Sequence, residues 1–323
     1  MTSMIRSLLA AALATCAFTP LAQAAAYPDH PLTLINPYVA GGPADVVARS
    51  LGRALEKRLG QPVVVENKPG GGASIGTGFV ARAKPDGYTL LLGTSAGHVV
   101  TPLMQKTPYD GVEGFAFCSV VAVQPIMLVV NPSRGIDSVA ALVERARAEP
   151  GKLSYGSAGV GGATHLGAEL FQQKAHIQLN HIPYAGASPA INDAVGGQID
   201  LAMLNLSASL PFIRQGRLKA LAYAADKRSA LLPDVPTLEE AGISGAQAAT
   251  WYSLAAPAGT PPDVVQRLSD AVKAVNSDPD YRRVMQEQAI ELMALSPADA
   301  DAYVRRDRAD MQQLLGSLGL LAK

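Results

Sequence analysis

The stretch YTLLLGTSAGHVVTP, residues 88–102, joins a short apolar run to a glycine-rich turn. The run predicts a buried β-strand, and GTSAG at 93–97 has the G-x-S-x-G pattern with which serine hydrolases present a nucleophile. The segment LSYGSAGVGGATH, residues 153–165, repeats the order of strand, Ser-Ala-Gly and approach to a helix. A hydrolase needs one nucleophile turn, whereas a cleft that closes on a ligand needs one such loop from each side. The pair therefore favours a two-sided cleft.

Around these two loops, β-branched runs alternate with helical patterns in two successive sets. The first set has strands LTLINPY (32–38), PVVVEN (62–67), YTLLLG (88–93), FAFCSVVAV (115–123) and IMLVVN (126–131), with helices over 44–60 and 138–151. The second set has strands KLSYGSAG (152–159), IQLNHIPYAG (177–186), IDLAMLN (199–205) and LKALAYA (218–224), with helices over 164–175 and 188–198. This alternation predicts an α/β fold of two doubly wound lobes with mostly parallel strands.

The points at which the chain changes lobe follow from the same pattern. One crossing is expected near Asn131 and the other in ATWYSLAAP, residues 249–257. The predicted domains are lobe I, residues 25–130 plus 251–323, and lobe II, residues 131–250. Trp251, the only tryptophan, is then close to the hinge.

Composition limits the partners that this chain can have. Its 323 residues are 48% hydrophobic and carry a formal net charge of +0, without a basic cluster. Two domains are expected, since single cores stop growing beyond about 250–300 residues. Nucleic acid and anionic membrane surfaces are excluded as partners, because both are recognised by concentrated positive charge.

The N-terminus predicts export. Arg6 precedes the apolar run SLLAAALATCAFTPL, which is short for a membrane span, and Ala22-Gln23-Ala24 supplies an A-x-A cleavage site. Residues 1–24 are interpreted as a secretory signal peptide, with cleavage after Ala24 and a soluble, exported mature protein. A first core helix, or lipidation of Cys16 in the run LATC, are the alternatives. After cleavage Cys118 is the only cysteine, and its apolar surroundings predict a buried, unreactive thiol.

The sequence contains few patterns that indicate catalysis or metal binding. KPGGGASIGTG (68–78) matches no nucleotide-binding pattern and predicts a turn into the next helix. The histidines have no metal-ligand spacing, so neither a metal nor a cofactor is expected. A serine hydrolase that uses Ser95 stays open as the alternative function, although Pro102 would interrupt the long helix expected behind such a nucleophile.

The loops that follow the predicted strands are built from small residues. They are PYVAGGPAD (37–45), GTSAGHVV (93–100), GSAGVGGATH (156–165) and PYAGASP (183–189). Ligands of α/β sheets bind beyond the carboxyl ends of the strands, where loops lead into helix N-termini. Backbone N–H groups exposed there bind anions, particularly carboxylates or phosphates.

Several long motifs together resemble one known family. They are PYVAGGPADVVAR (37–49), LGQPVVVENKPGGGASIGTGFVARAKPDGYTLLLG (59–93), SAGVGGATHLGAELF (157–171), PYAGASPAINDAVGGQID (183–200) and KRSALLPDVPTLEEAGI (227–243). In this order they resemble the Bug, or TctC-type, periplasmic receptors of tripartite tricarboxylate transporters, over essentially the whole mature chain.

The resemblance implies a monomeric, Venus-flytrap solute-binding protein that holds a small organic carboxylate between its lobes, without an arginine clamp. It implies either delivery to a two-subunit membrane permease or a role in sensing. Leu204, where many relatives have a polar residue, suggests a more apolar cleft wall. By matching motifs, the resemblance implies these ligand-binding residues: Tyr38, Gly42, Asp45, Thr94, Ser95, Ser157, Gly159, Thr164, Tyr184 and Ala185.

Overall fold

In the computed structural model, which describes residues 27–322, the chain begins with a β-α-β-α-β unit. Its elements are β1 (Leu32–Asn36), α1 (Pro43–Leu59), β2 (Val63–Asn67), α2 (Ser74–Ala81) and β3 (Thr89–Thr94). β1 pairs in parallel with β2 and β3. In the apolar stripe of α1, Val47, Leu51, Ala54, Leu55 and Leu59 are buried against this sheet, as its helical spacing predicts.

One long strand then leaves lobe I. After a π-helical turn (Ala96–Val100) and α3 (Thr101–Met104), β4 runs from Phe115 to Val130. The prediction of separate strands over 115–123 and 126–131 is therefore wrong. Gln124 and Pro125 do not end the strand. β4 changes its partner strand at this point, so it needs no N–H donor from residue 125 and tolerates a proline there.

Lobe II forms on the second half of β4. Its elements in chain order are α4 (Val139–Ala148), β5 (Ser154–Ser157), α5 (Ala163–Ala175), β6 (Asn180–Pro183), α6 (Ala187–Val195), β7 (Leu201–Asn205), α7 (Leu206–Arg214) and β8 (Lys219–Tyr223). β5 pairs in parallel with β6 and β7, whereas β7 and β8 both run antiparallel to β4. The predicted parallel strands thus form the outer part of each sheet, and the pairs around the crossing strand are antiparallel.

The chain returns to lobe I through β9 (Ala249–Pro257), which pairs with β3 and with the first half of β4. The elements that follow are α8 (Pro262–Val275), α9 (Pro279–Glu287), β10 (Glu291–Leu292) and α10 (Pro297–Leu318). α10 packs on β4 and on the π-helical turn. The chain therefore has the mixed α/β fold of two doubly wound lobes joined by β4 and β9, with a cleft between them.

The lobe limits at 130/131 and 250/251 stay a prediction. β4 exchanges its lobe I partner β9 for β7 between Pro125 and Ile126, which is five residues before the first predicted limit. Trp251 lies on β9 opposite Val123, and its indole packs in a lobe I core between His98 and Tyr303.

The predicted signal peptide, residues 1–24 with Cys16, lies outside the described residues. None of the helices described over 27–322 is both long and apolar enough to cross a membrane. Cys118 is fully buried, and burial raises the pKa of its thiol to about 12, which confirms a buried, unreactive side chain.

Candidate ligand-binding cleft

A cavity lies between the two lobes, and its empty space, including the part that is open to solvent, is about 540 Å³. Residues from both lobes and from β9 line it, and none of them is charged. They are Tyr38, Val39, Gly42, Pro43, Ala44, Thr94, Ser95 and Ala96 of lobe I, Ala158, Gly162, Ala163, Thr164, Gly186, Ala187 and Asn205 of lobe II, and Thr250 and Tyr252 of β9. The described part of the chain therefore brings no arginine or lysine into contact with this cavity.

Helix N-termini supply the positive electrostatic potential instead. α1, α5, α6 and α7 all begin at residues that line the cavity or directly follow them. Their N-caps Gly42, Gly162, Gly186 and Asn205 make no side-chain cap hydrogen bond. The first N–H groups of a helix have no partner within the helix, and the macrodipole adds partial positive charge. The cavity is thus suited to an anion.

Two threonine hydroxyls in the cavity are free to donate. Thr164 Oγ1 accepts a hydrogen bond from the Ala158 N–H at 2.9 Å. Thr250 Oγ1 accepts one from Asn205 Nδ2 at 3.0 Å. Each hydroxyl has one proton, and these bonds do not use it. Both groups can therefore donate to a ligand while the bonds to the protein hold them in place.

Tyr38 and Thr94 form a third donor group, with 3.1 Å between their hydroxyl oxygens. Burial raises the pKa of Tyr38 even though the Thr94 hydrogen bond opposes it, so the phenol keeps its proton. The two hydroxyls have one proton each, and the hydrogen bond between them uses only one of the two protons. The pair therefore has one proton to spare for a ligand.

Ser95 differs from these hydroxyls. Its Oγ donates to Asp307 Oδ2 of α10 at 2.5 Å, which is the short distance typical of a hydroxyl on a carboxylate. The nearest histidine in sequence, His98, is buried and places its ring nitrogens 2.7 Å from Gly111 O and 3.3 Å from Ser253 Oγ. Within residues 27–322, Ser95 therefore forms no hydrogen bond with a histidine that could act as a base.

The predicted ligand-binding residues divide into three groups. Those that line the cavity are Tyr38, Gly42, Thr94, Ser95 and Thr164. Gly159, Tyr184 and Ala185 line a neighbouring second cavity, which shares Tyr38 and Ala158 with the first and has about 980 Å³ of empty space including the part that is open to solvent. Asp45 and Ser157 line neither cavity.

Asp45 braces the loop that precedes α1. Its carboxylate accepts hydrogen bonds from Gly41 N at 3.1 Å, Arg49 Nε at 2.9 Å and Asn67 Nδ2 at 2.9 Å. Burial by itself would raise the pKa of this carboxyl, but the hydrogen bonds outweigh burial and hold the pKa below its usual value. Asp45 therefore holds the turn at Gly41, directly before the lining residue Gly42.

Ser157 is fully buried under the second Ser-Ala-Gly loop. Its Oγ lies 2.7 Å from His181 Nε2 and accepts from Gly159 N at 3.2 Å. Burial lowers the pKa of His181 to about 4, so the ring is neutral at neutral pH. Ser157 therefore holds the loop from inside, and Gly162, Ala163 and Thr164 form the surface that faces the cavity.

Several lining residues were missed by the sequence interpretation, among them Asn205, Thr250 and Tyr252. Asn205 ends the predicted strand IDLAMLN, so its position at the carboxyl end of a strand was an available signal. Thr250 and Tyr252 sit within a strand and give no such signal. Leu204 is fully buried in a lobe II core and does not line the cavity, so it does not form the apolar cleft wall that was expected.

The glycine run 70–72 lies in the second cavity. Gly70, Gly71, Gly72 and Ala73 all have positive φ, and α2 starts directly after them, which confirms the predicted turn. A Cβ on Gly72 would lie 2.7 Å from Val160 O of lobe II. The two lobes thus touch through backbone at this point.

A two-lobed α/β protein with an uncharged cleft lined by helix N-termini belongs to the class of periplasmic solute-binding proteins. The family model described as "Tripartite tricarboxylate transporter family receptor" matches residues 47–320, so the chain belongs to the TctC family. It is 39% identical to the protein BugT of Bordetella pertussis over 259 residues, which are 80% of this chain and 79% of BugT.

Two similar solved structures contain carboxylates. Rpa4515 of R. palustris with adipate has a TM-score of 0.87 at 32% identity, covering 91% of this chain and 98% of that one. MatC of Rhodopseudomonas palustris with bound malate has a TM-score of 0.85 at 28% identity, covering 90% and 100%.

A third solved structure is a TctC solute-binding protein from Polaromonas with no ligand. Its TM-score is only 0.67, although it is 30% identical and covers 90% of this chain and 99% of that one. With similar identity and coverage, the described structure is thus closer in shape to the two ligand-bound proteins.

The family is one of receptors, so this chain is a solute-binding protein and not an enzyme. The alternative of a Ser95 hydrolase is set aside. Among residues 27–322, no three His, Cys, Asp or Glu side chains are grouped to hold a metal ion.

Proposed function

We propose that this receptor captures a small organic carboxylate in the cleft between its lobes and delivers it to a two-subunit membrane permease. The observation that carries the proposal is the set of uncapped helix N-termini and free hydroxyl protons around an uncharged cavity. The carboxylates in Rpa4515 and MatC support the ligand class.

The ligand's carboxylate is proposed to accept hydrogen bonds from first-turn N–H groups of α1, α5 and α6, from the Tyr38–Thr94 pair and from Thr164 and Thr250. A micromolar complex requires about −8 kcal/mol. A hydrogen bond to a charged group contributes about 1.5–3 kcal/mol before ordering costs, so four or five such donors suffice. The alanine, valine and tyrosine side chains of the lining suit the carbon chain of the ligand.

Gly42 contributes backbone to this site, and Asp45 and Ser157 support it from behind. Gly159, Tyr184 and Ala185 are proposed to contact only ligands long enough to extend into the second cavity. Tyr184 OH donates to Asp193 Oδ2 at 2.6 Å, so its hydroxyl oxygen faces a longer ligand as an acceptor.

Closure of the lobes around the ligand is part of the proposal. The contacts of Gly72 with Val160, and of Gly186 with Val39, join lobe I to lobe II at the cavity.

A thermal-shift screen tests the ligand class. Small mono-, di- and tricarboxylates are each paired with the corresponding amide, which has the same shape without the charge. At 100 times its dissociation constant a ligand stabilises the folded state by about 2.7 kcal/mol. A carboxylate that raises the midpoint when its amide does not supports the proposal. Equal shifts within every pair, or no shift with any acid, would contradict it.

Export to the periplasm with cleavage after Ala24 completes the proposal. The mature chain is expected to begin at Ala25 and to carry no lipid. Intact-mass measurement of protein from the periplasmic fraction checks both points. A mass that corresponds to a diacylated Cys16 would contradict them.

A further inference from the structure

Asp307 is a carboxylate of the C-terminal helix α10 that lies directly behind the cleft. It does not line the cavity, but it accepts the hydroxyl proton of Ser95, which does. The indole N–H of Trp251 is buried without a hydrogen bond within residues 27–322, and it opposes the rise in the pKa of the Asp307 carboxyl. An acidic side chain is thus separated from an anion-binding cavity by a single hydroxyl.

The surroundings of Asp307 do not neutralise its charge. On the same helix Arg305 pairs with Glu113 at 2.5 Å, and Arg308 lies 3.6 Å from Asp110. Burial raises the pKa of Asp307, the hydrogen bond from Ser95 opposes this rise, and the charge of Asp310 adds to it. Within residues 27–322, Asp307 accepts a side-chain hydrogen bond from Ser95 and forms no ion pair.

This arrangement determines which part of the Ser95 hydroxyl faces the cleft. Ser95 has one proton, which is directed at Asp307, so only its oxygen lone pairs are available to a ligand. The hydroxyls of Thr164 and Thr250 accept hydrogen bonds from N–H groups of the protein, so each can direct its proton at a ligand. A carboxylate oxygen placed against Ser95 would meet lone pairs, whereas a ligand hydroxyl or ammonium placed there would donate to Ser95 Oγ.

We infer that Asp307, acting through Ser95, is a specificity-determining positioning residue that makes this receptor prefer carboxylates bearing a hydroxyl or amino substituent over the unsubstituted acids. The inference rests on the proposed function and assigns a substrate class to the same cleft. It gives Ser95 the role of acceptor for the substituent, and leaves the carboxylate to the helix N-termini and the threonines.

Calorimetric titration with matched acids tests this inference. The pairs are succinate with each enantiomer of malate, glutarate with 2-hydroxyglutarate, and propionate with lactate, so that only one hydroxyl changes. For at least one pair the wild type is expected to bind the hydroxylated acid about tenfold more tightly, which is about 1.4 kcal/mol.

Two variants give distinct signatures. In Asp307→Asn the amide can turn either its oxygen or its Nδ2–H to Ser95, so the Ser95 proton can point into the cleft. The preference should then fall below about threefold, because the unsubstituted acid binds more tightly. In Ser95→Ala the acceptor is gone, and the preference should fall because the hydroxylated acid binds more weakly. Asp270→Asn, which removes an exposed carboxylate on α8, is the control that should leave the preference unchanged.

The outcomes separate this inference from the proposed function. If the wild type bound the two acids of every pair with dissociation constants within about threefold of each other, the inference would be overturned. The proposed function as a carboxylate receptor would stand. If Ser95→Ala changed the affinities for both acids of a pair equally, the inference would also be overturned. This test holds even if Asp307→Asn does not fold. No binding of any acid, in the screen above as well as here, would overturn the proposed function and the inference together.

Discussion

The two Ser-Ala-Gly loops have the same tripeptide after a strand, yet their serines face in different directions. In lobe I, Ser95 leads directly into the π-helical turn and lines the cleft. In lobe II, five residues separate Ser157 from the start of α5, and the serine is fully buried under the loop that these residues form. The two loops thus differ in the distance from the serine to the next helix, and the shared tripeptide does not determine whether the serine lines the cavity.

The largest difference between the loops is expected at Thr164. In lobe II this residue supplies a hydroxyl to the cavity, whereas Ser157 does not line it. Thr164→Val should weaken carboxylate binding by about 3 kcal/mol, or about 100-fold. It removes a donor to a charged group, and it leaves the Ala158 N–H without its acceptor. Calorimetry with the best acid of the screen measures the loss. Thr107→Val, which removes a hydrogen bond to Tyr109 O away from the cavity, is the control. A loss below about tenfold would remove Thr164 from the proposed site.

A second way to break the comparison is to keep the two lobes apart. Gly72→Ala puts a Cβ 2.7 Å from Val160 O of the facing lobe, so binding should weaken by about 2 kcal/mol, or about 30-fold. Gly60→Ala has a similar φ, +73° against +62°, but nothing lies within 4 Å of its Cβ. Both changes cost about 1–2 kcal/mol in backbone conformation. Equal affinities of the two variants would show that the Gly72 contact is not needed for binding.

Alanine at the two serines compares the loops directly. Ser95→Ala should weaken binding of the preferred ligand by about 1–2 kcal/mol, and it should also lower the free energy of unfolding because the partly buried Asp307 carboxylate loses its hydrogen bond. Ser157→Ala should lower the free energy of unfolding by about 1–2 kcal/mol, because His181 Nε2 and the Gly159 N–H lose a buried partner. Affinity and chemical denaturation are measured for both. If both variants lost affinity equally, the two loops would be equivalent after all.

The smallest expected effect is optical. Trp251 lies on β9, one of the two strands that cross between the lobes, and its neighbours Thr250 and Tyr252 line the cavity. A true ligand should change its emission, with saturation at the dissociation constant found by calorimetry. Its packing within a lobe I core is the reason to expect a modest change. Unchanged emission together with unchanged small-angle scattering would exclude lobe closure and leave a rigid pocket.

Among the lining residues, the sequence identified those at the ends of predicted strands and in glycine-rich loops, such as Tyr38, Thr94 and Ser95. Loop composition also pointed to residues that turned out to lie behind the surface. Asp45 and Ser157 are polar residues in the right loops, but their partners Arg49, Asn67 and His181 are recruited by folding. No pattern along the chain distinguishes a side chain that supports a loop from one that emerges from it.

The sequence by itself determined the alternation of strands and helices in both lobes, the two-lobed α/β class and the family, because these follow from local periodicity, turn residues and long ordered motifs. The tertiary structure decided the rest. It alone showed that β4 is one strand shared by both sheets, since Pro125 interrupts a pattern but not a strand whose partner changes there. It alone placed Asp307 against Ser95, because the direction of a hydroxyl proton depends on an acceptor that is 212 residues away in the chain.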